Sequence, residues 1–212
     1  MTDFIPQQGY YRNLRAYRVS EIIYDVTYIF CKRFLDKRDR TVDQMIQAAR
    51  SGKQNIAEGS SAGSTSKETE IKLTNVAKAS LQELLLDFED YLRGRGLEQW
   101  PKDSDKAVRT RRICAANNDG AFYRDAVSVR SDATVANIAI ILIHQADVLL
   151  ARLIERQKKD FIERGGIREQ MTRARLEYRR TQSAQSSQRT PSDSNPRTLR
   201  SPSTPKNYNN EN

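Results

Sequence analysis

Residues 50–92 read RSGKQNIAEGSSAGSTSKETEIKLTNVAKASLQELLLDFEDYL, and this stretch decides the fold. Its second half places Ile71, Leu73, Val76, Ala77, Leu81, Leu84, Leu85, Phe88 and Leu92 at helical spacing, which marks one buried stripe to about Arg93. Gly94 and Gly96 then end the helix. Its first half reads as the close of another helix, with Gly59 placed as a left-handed C-terminal cap. Between them, residues 60–66 form a turn of small residues, and Thr65 with Glu68 has the spacing of a capping box. Two helices joined by so short a turn are expected to pack antiparallel.

Working outward, Thr41 and Gln44 form a second capping-box pattern, opening a helix whose inner face is Val42, Met45, Ile46, Ala49 and Ile56. The small residues Ala48, Ala49, Ser51, Gly52 and Ala57 allow a neighbouring helix to approach closely. Upstream, Leu14, Tyr17, Ile22, Val26, Ile29, Phe30 and Phe34 give a first helix over about 13–37. Downstream, residues 97–131 are the least periodic part and read as a long, partly helical connection across one end of the bundle. A fourth helix starts near Asp132 and runs to about Lys159. Its middle is apolar almost all round, so it is expected to be buried on more than one side, by a subunit interface or by the segment after Gly165 and Gly166. Its most apolar run, Val135 to Leu150, contains Asn137, His144, Gln145 and Asp147 and reads as too short and too polar to span a bilayer.

The expected fold is all-α: an antiparallel up-down four-helix bundle over 13–159, with a flexible leader over 1–12. A helical suffix over 160–180 and a disordered basic tail over 181–212 follow. The tail is Ser, Thr, Gln, Asn, Pro and Arg with almost no apolar residue, too little to offset the entropy of ordering.

The 212 residues carry a net charge of +9, with 26 basic against 22 acidic side chains through Asp160 and 10 against 5 beyond it. A basic balance favours anionic partners, nucleic acid among them. Arg12, Arg15 and Arg18 lie three apart on one side of the first helix, with Lys32 and Arg33 further along it. Arg50 and Lys53 fall on the second helix, and Arg152 and Arg156 on the fourth. Such clusters bind phosphate backbones without reading sequence. These nine residues are the nucleic-acid-binding candidates, set against the blander reading of a solvated charged face.

Catalytic and metal-binding patterns are poor. His144 is the single histidine, and its place in the most apolar helix reads as a partly buried imidazole bonded to a neighbour. There is no Glu-x-x-His for a carboxylate metal site, and no Walker or dinucleotide fingerprint. No catalytic residue, metal or cofactor is expected. Asn55, Glu58 and Gly59 read as a polar clamp fixing the hairpin, with the Glu58 charge opposing the helix dipole and needing compensation. Cys31 and Cys114 have neither metal spacing nor a disulfide framework, and no signal peptide is evident, which makes a cytoplasmic protein the expectation.

The motif N-I-A-E-G at 55–59, the following Lys67, and A-x-x-S-x-x-E-L at 77–84 resemble the bacterial four-helix-bundle proteins of the 23S rRNA intervening-sequence type. Tyr24, Phe30, Phe34, Asp43, Gln44, Ala48 and Ala49 also look like that family, over most of 14–158. Residues 100–104 (WPKDS), with Phe161, Gly165, Gly166, Glu169, Met171 and Arg175, look like a subgroup carrying a C-terminal suffix. The resemblance implies a non-enzymatic bundle. Its relatives include the accessory variability determinant of diversity-generating retroelements, a pentameric basic barrel that associates with a reverse transcriptase and binds nucleic acid. A homo-oligomer, RNA or DNA, and a reverse transcriptase are therefore the implied partners, with association to ribosomal RNA as the other role in the family. A protein–protein scaffold that recruits its partner through the apolar fourth helix is the reading from a different class.

Overall fold

The computed structural model describes residues 11–187, which are all-helical without strands. A 3-10 turn at Tyr11–Asn13 leads into α1 (Arg15–Phe34), followed by α2 (Arg40–Ala62) and α3 (Lys67–Gly94). Then come α4 (Asp105–Ala116), α5 (Gly120–Ser128), α6 (Asp132–Arg164) and α7 (Ile167–Ser187). The chain divides into two compact units, residues 1–172 and 173–212, so α7 from Arg173 onward belongs to the second unit. The leader and tail expected at 1–12 and 181–212 fall largely outside the described residues. Where they overlap them, 181–187 continue α7 and Tyr11 and Arg12 belong to the 3-10 turn.

In the first unit α2 packs on α3, α3 on α6, and α1 on both α2 and α6, so the four long helices close a circuit. The core runs along it: Val19, Ile23, Val26 and Phe30 from α1, Met45, Ala49 and Ile56 from α2, Leu81, Leu84 and Phe88 from α3, and Leu142, Ile143 and Leu150 from α6. Phe30 sits at its aromatic centre, with ring centroids 5.0 Å from Phe88 and 4.7 Å from Tyr91, both edge-to-face. Gly52 earns its place by absence of a side chain: a Cβ there would lie 2.6 Å from Leu81 Cδ2 in the buried α2–α3 contact.

Four details differ from the sequence reading. Asp39, not Thr41, caps α2: the helix starts one residue earlier, at Arg40, and the Asp39 carboxylate accepts from the Thr41 N–H at 2.9 Å. Ser66, not Thr65, caps α3, accepting from the Thr69 N–H at 3.1 Å. Gly59 is not a left-handed cap, because α2 continues one more turn to Ala62. Gly59 is buried inside the helix, where an added Cβ would lie 3.2 Å from the Glu70 carbonyl oxygen. Among the described residues the glycines with positive φ are Gly96 at 63° and Gly165 at 71°.

The fourth difference shapes the molecule. The 97–131 connection does not cross one end of the bundle but lies along its flank, with α4 packed on α6 and α5 on α1. Ser104 and Asp119 cap these two helices, accepting from the N–H groups of Ala107 and Ala121. Arg124 pairs with Asp25 at 2.7 Å, and Arg33 donates to the carbonyls of Val127 and Arg130, so the middle of α5 and its C-terminal end are tied to α1. The all-round apolar middle of α6 therefore has α1, α3 and α4 as neighbours. The stretch from Asp132 is also long and apolar enough to pass as a membrane span by length and composition, contrary to the sequence reading, although most of its most apolar window is buried inside the fold.

Several buried weak acids make stability pH-dependent. Tyr91 donates to Asp132 Oδ2 at 2.9 Å, joining α3 to the first turn of α6. Burial, and then that hydrogen bond, pushes its hydroxyl from 10.0 up to about 12. Burial, reinforced by the charge of Asp87, pushes the Cys31 thiol from 9.0 up to about 12. Burial also raises Tyr123, whose hydroxyl donates to the Asn117 carbonyl at 3.2 Å, and Cys114. All four are neutral when protonated and hold the proton more tightly folded than unfolded. Their contribution is whole below the unfolded values of 9.0 and 10.0 and is lost as pH climbs through the raised ones. Thermal melts should give a Tm that falls steadily from about pH 9 toward pH 12; a Tm constant over that interval would contradict the burial of these groups.

Candidate nucleic-acid interface

A groove of about 770 Å³ runs along α6 between α4, the 99–102 segment and the start of α1. Its floor is apolar, with Trp100, Ile140, Ile141, Val148 and Leu149, and its rim carries Arg15, Lys102, Arg111 and Arg152. A smaller hollow of about 260 Å³ shares Arg15, Leu149 and Arg152 and adds Arg156. Arg152 and Arg156 are four apart and so project from the same side of α6, at the part of it that lies beside the first turn of α1. Like charges at that spacing cost a few tenths of a kcal/mol in an isolated helix.

Most of this positive charge is unopposed. Asp147 is the one acidic residue among the described lining, and it is already held by Gln82 at 2.8 Å and Lys78 at 3.5 Å. Among the described residues Arg15, Lys102, Arg111, Arg152 and Arg156 enter no ion pair. Arg15 does donate to the Ala115 carbonyl at the end of α4, and Arg111 Nη2 donates to the Lys102 carbonyl at 2.6 Å. Both contacts orient a guanidinium against a neutral acceptor and leave its charge uncompensated. The opposite flank differs: the hollow between α2 and α3 is lined by Asp43, Glu83 and Asp87, and burial with the charges of Asp90 and Glu83 raises Asp87.

The structure therefore brings together Arg15, Arg152 and Arg156 of the nine basic candidates and disperses the rest. Arg33 is committed to the α5 carbonyls and lies 4.4 Å over the Phe34 ring. Lys53 lies 4.3 Å over the Tyr24 ring, and Arg18 donates to the Arg12 carbonyl at 2.8 Å. Arg12 lies 5.8 Å from the centroid of the Tyr11 ring. Lys32 and Arg50 are exposed and line neither hollow of the α6 groove.

The hairpin clamp is built differently from its sequence reading. Asn55 takes part: its amide donates to Ser51 at 2.9–3.0 Å, and Ser51 bonds Ser80 of α3 at 2.9 Å. Glu58 is exposed, with no hydrogen bond or ion pair among the described residues. The work assigned to it falls to Glu70, which pairs with Lys67 at 2.7 Å and accepts from buried Gln157 of α6 at 3.2 Å. Gln157 also donates to Thr74 at 3.1 Å.

His144 is exposed on the groove, not partly buried against a neighbour. Among the described residues no three His, Cys, Asp or Glu side chains converge as metal ligands would. Asn137 is a site residue the sequence reading passed over. It is 2% exposed; its Oδ1 accepts from the Trp100 N–H at 2.7 Å, and its Nδ2 donates to the carbonyls of Glu98 and Ala133. One amide thus fixes the segment that carries Trp100 against α6. Asn137→Ala should strip this partner from the Trp100 N–H and the Glu98 carbonyl, the two of its three backbone contacts that lie outside α6, costing about 1–3 kcal/mol for each left unsatisfied. It should also shift the emission of Trp100 to the red; wild-type stability and emission in that variant would refute the role.

Comparison with protein-family models, with curated proteins and with solved structures finds no match to the chain.

Proposed function

We propose that this chain is a non-enzymatic nucleic-acid-binding accessory protein, folded as an up-down four-helix bundle with α4 and α5 layered on its α1–α6 flank. The observation that carries the reading is the convergence of Arg15, Lys102, Arg111, Arg152 and Arg156 on one groove system without acidic partners. Charges left unpaired at the protein's own expense are what a polyanion neutralises. The resemblance at 55–59 and 77–84 belongs to the same proposal, and with it a cytoplasmic homo-oligomer associating with a reverse transcriptase or with ribosomal RNA. A recruiting surface on α6 has less support, since that helix has α1, α3 and α4 as neighbours.

The test is a salt titration of binding to RNA and to DNA. Each phosphate contacted lowers the slope of log Kobs against log salt by about 0.7–0.9. Five cations acting together predict a slope of about −3.5 to −4.5. No binding at low salt would remove the proposal.

A further inference from the structure

The groove's shape says more than its charge. A duplex offers phosphates to a protein surface and keeps its bases stacked inside, so it would satisfy the cationic rim and leave the floor bare. The accessible part of that floor is apolar, with Val148 49% exposed and Trp100 and Leu149 half-buried beside it, while Ile140 and Ile141 are buried beneath. Apolar and aromatic surface next to arginines is what unpaired bases cover, because every base has a face that stacks. Length adds a second constraint. Trp100 is bonded to Asn137 at one end, and Arg152 lies fifteen residues further along α6, about 22 Å away at 1.5 Å per residue. A mononucleotide cannot reach both ends, whereas a strand rising about 3.4 Å per stacked nucleotide spans them with about six or seven.

We infer that the α4–α6 groove seats a single strand of nucleic acid, with bases against Trp100 and Val148 and the backbone held at Arg152 and Arg15. This rests on the nucleic-acid reading above and narrows it to unpaired strands.

Trp100 is the chain's single tryptophan, so its fluorescence reports on the groove directly. The full-length protein is titrated at low salt with a ten-residue pyrimidine oligomer, the same sequence as a duplex, and the corresponding mononucleotide, while anisotropy of labelled oligomer measures binding separately. The oligomer should change Trp100 emission saturably and bind roughly ten-fold or more tighter than duplex or mononucleotide. Val148→Glu, at an exposed position that costs no core packing, should weaken the single strand by roughly ten-fold or more. Leu86→Glu, exposed on α3 away from the groove, should leave it unchanged. Equal affinity for duplex, saturation by mononucleotide alone, or single-strand binding that ignores both Trp100 and Val148→Glu would overturn the inference while leaving nucleic-acid binding intact. Absence of binding to any of the three would overturn both.

Discussion

Phe30→Ala is expected to lose about 3–5 kcal/mol of folding free energy, a large part of what a domain of this size has to spare. Phe30 is fully buried and touches the rings of Phe34, Phe88 and Tyr91, so truncation opens a cavity where α1 meets α3. Those neighbours sit on helices pinned elsewhere, Tyr91 by Asp132 and α1 by its ties to α5, so collapse into the void is restricted. The lost edge-to-face contacts add to the transfer cost. Phe30→Leu, which keeps most of the volume, should cost much less. Urea unfolding monitored by circular dichroism measures both, and a Phe30→Ala variant within 1 kcal/mol of wild type would mean that this cluster is not the centre of the core.

The second large effect concerns binding and not folding. Arg152→Glu with Arg156→Glu should weaken nucleic-acid binding by roughly a hundred-fold or more at low salt, because two phosphate contacts become two repulsions on one side of α6. Folding should be little affected, since both side chains are exposed and neither is paired, and the two positions carry like charges before and after the change. The same double change at Lys158 and Lys159, which pair with Glu155 and Glu163, provides the comparison at matched net charge. Equal losses from the two double variants would assign binding to overall charge and not to the groove. No loss from the Arg152 and Arg156 pair would assign it elsewhere.

Helix identity was legible because it depends on apolar spacing that the chain carries locally. The stripes of α1, α2, α3 and α6 appear where Val26, Ile56, Leu84 and Leu142 place them. Helix ends were read less well, because several adjacent residues can cap and only geometry chooses among them. Asp39 displaced Thr41, and Ser66 displaced Thr65. Gly59 was misread because small residues in a row look alike as a turn and as a close helix contact, and only the approach of Glu70 and Leu73 distinguishes the two. The groove was half legible. Arg15, Arg152 and Arg156 were visible as basic residues, but nothing local says that they converge. Trp100, Lys102 and Arg111 come from an aperiodic connection placed by tertiary contacts, chiefly the Asn137 amide. A polar residue within an otherwise apolar stretch was the available signal, and Asn137, His144 and Gln145 were all of that kind.

The chain's two cysteines divide between the two layers of the fold. Cys31 lies beneath α2, with its thiol 3.9 Å from the Met45 sulfur, while Cys114 lies at the inner end of α4, where Gln145 reaches its carbonyl. Proteins open in cooperative pieces, and an outlying layer opens at lower free energy than a central core. The rates at which a thiol reagent reaches these two sulfurs would therefore act as independent clocks, one for the lifting of the flank that walls one side of the groove and one for unfolding of the body beneath.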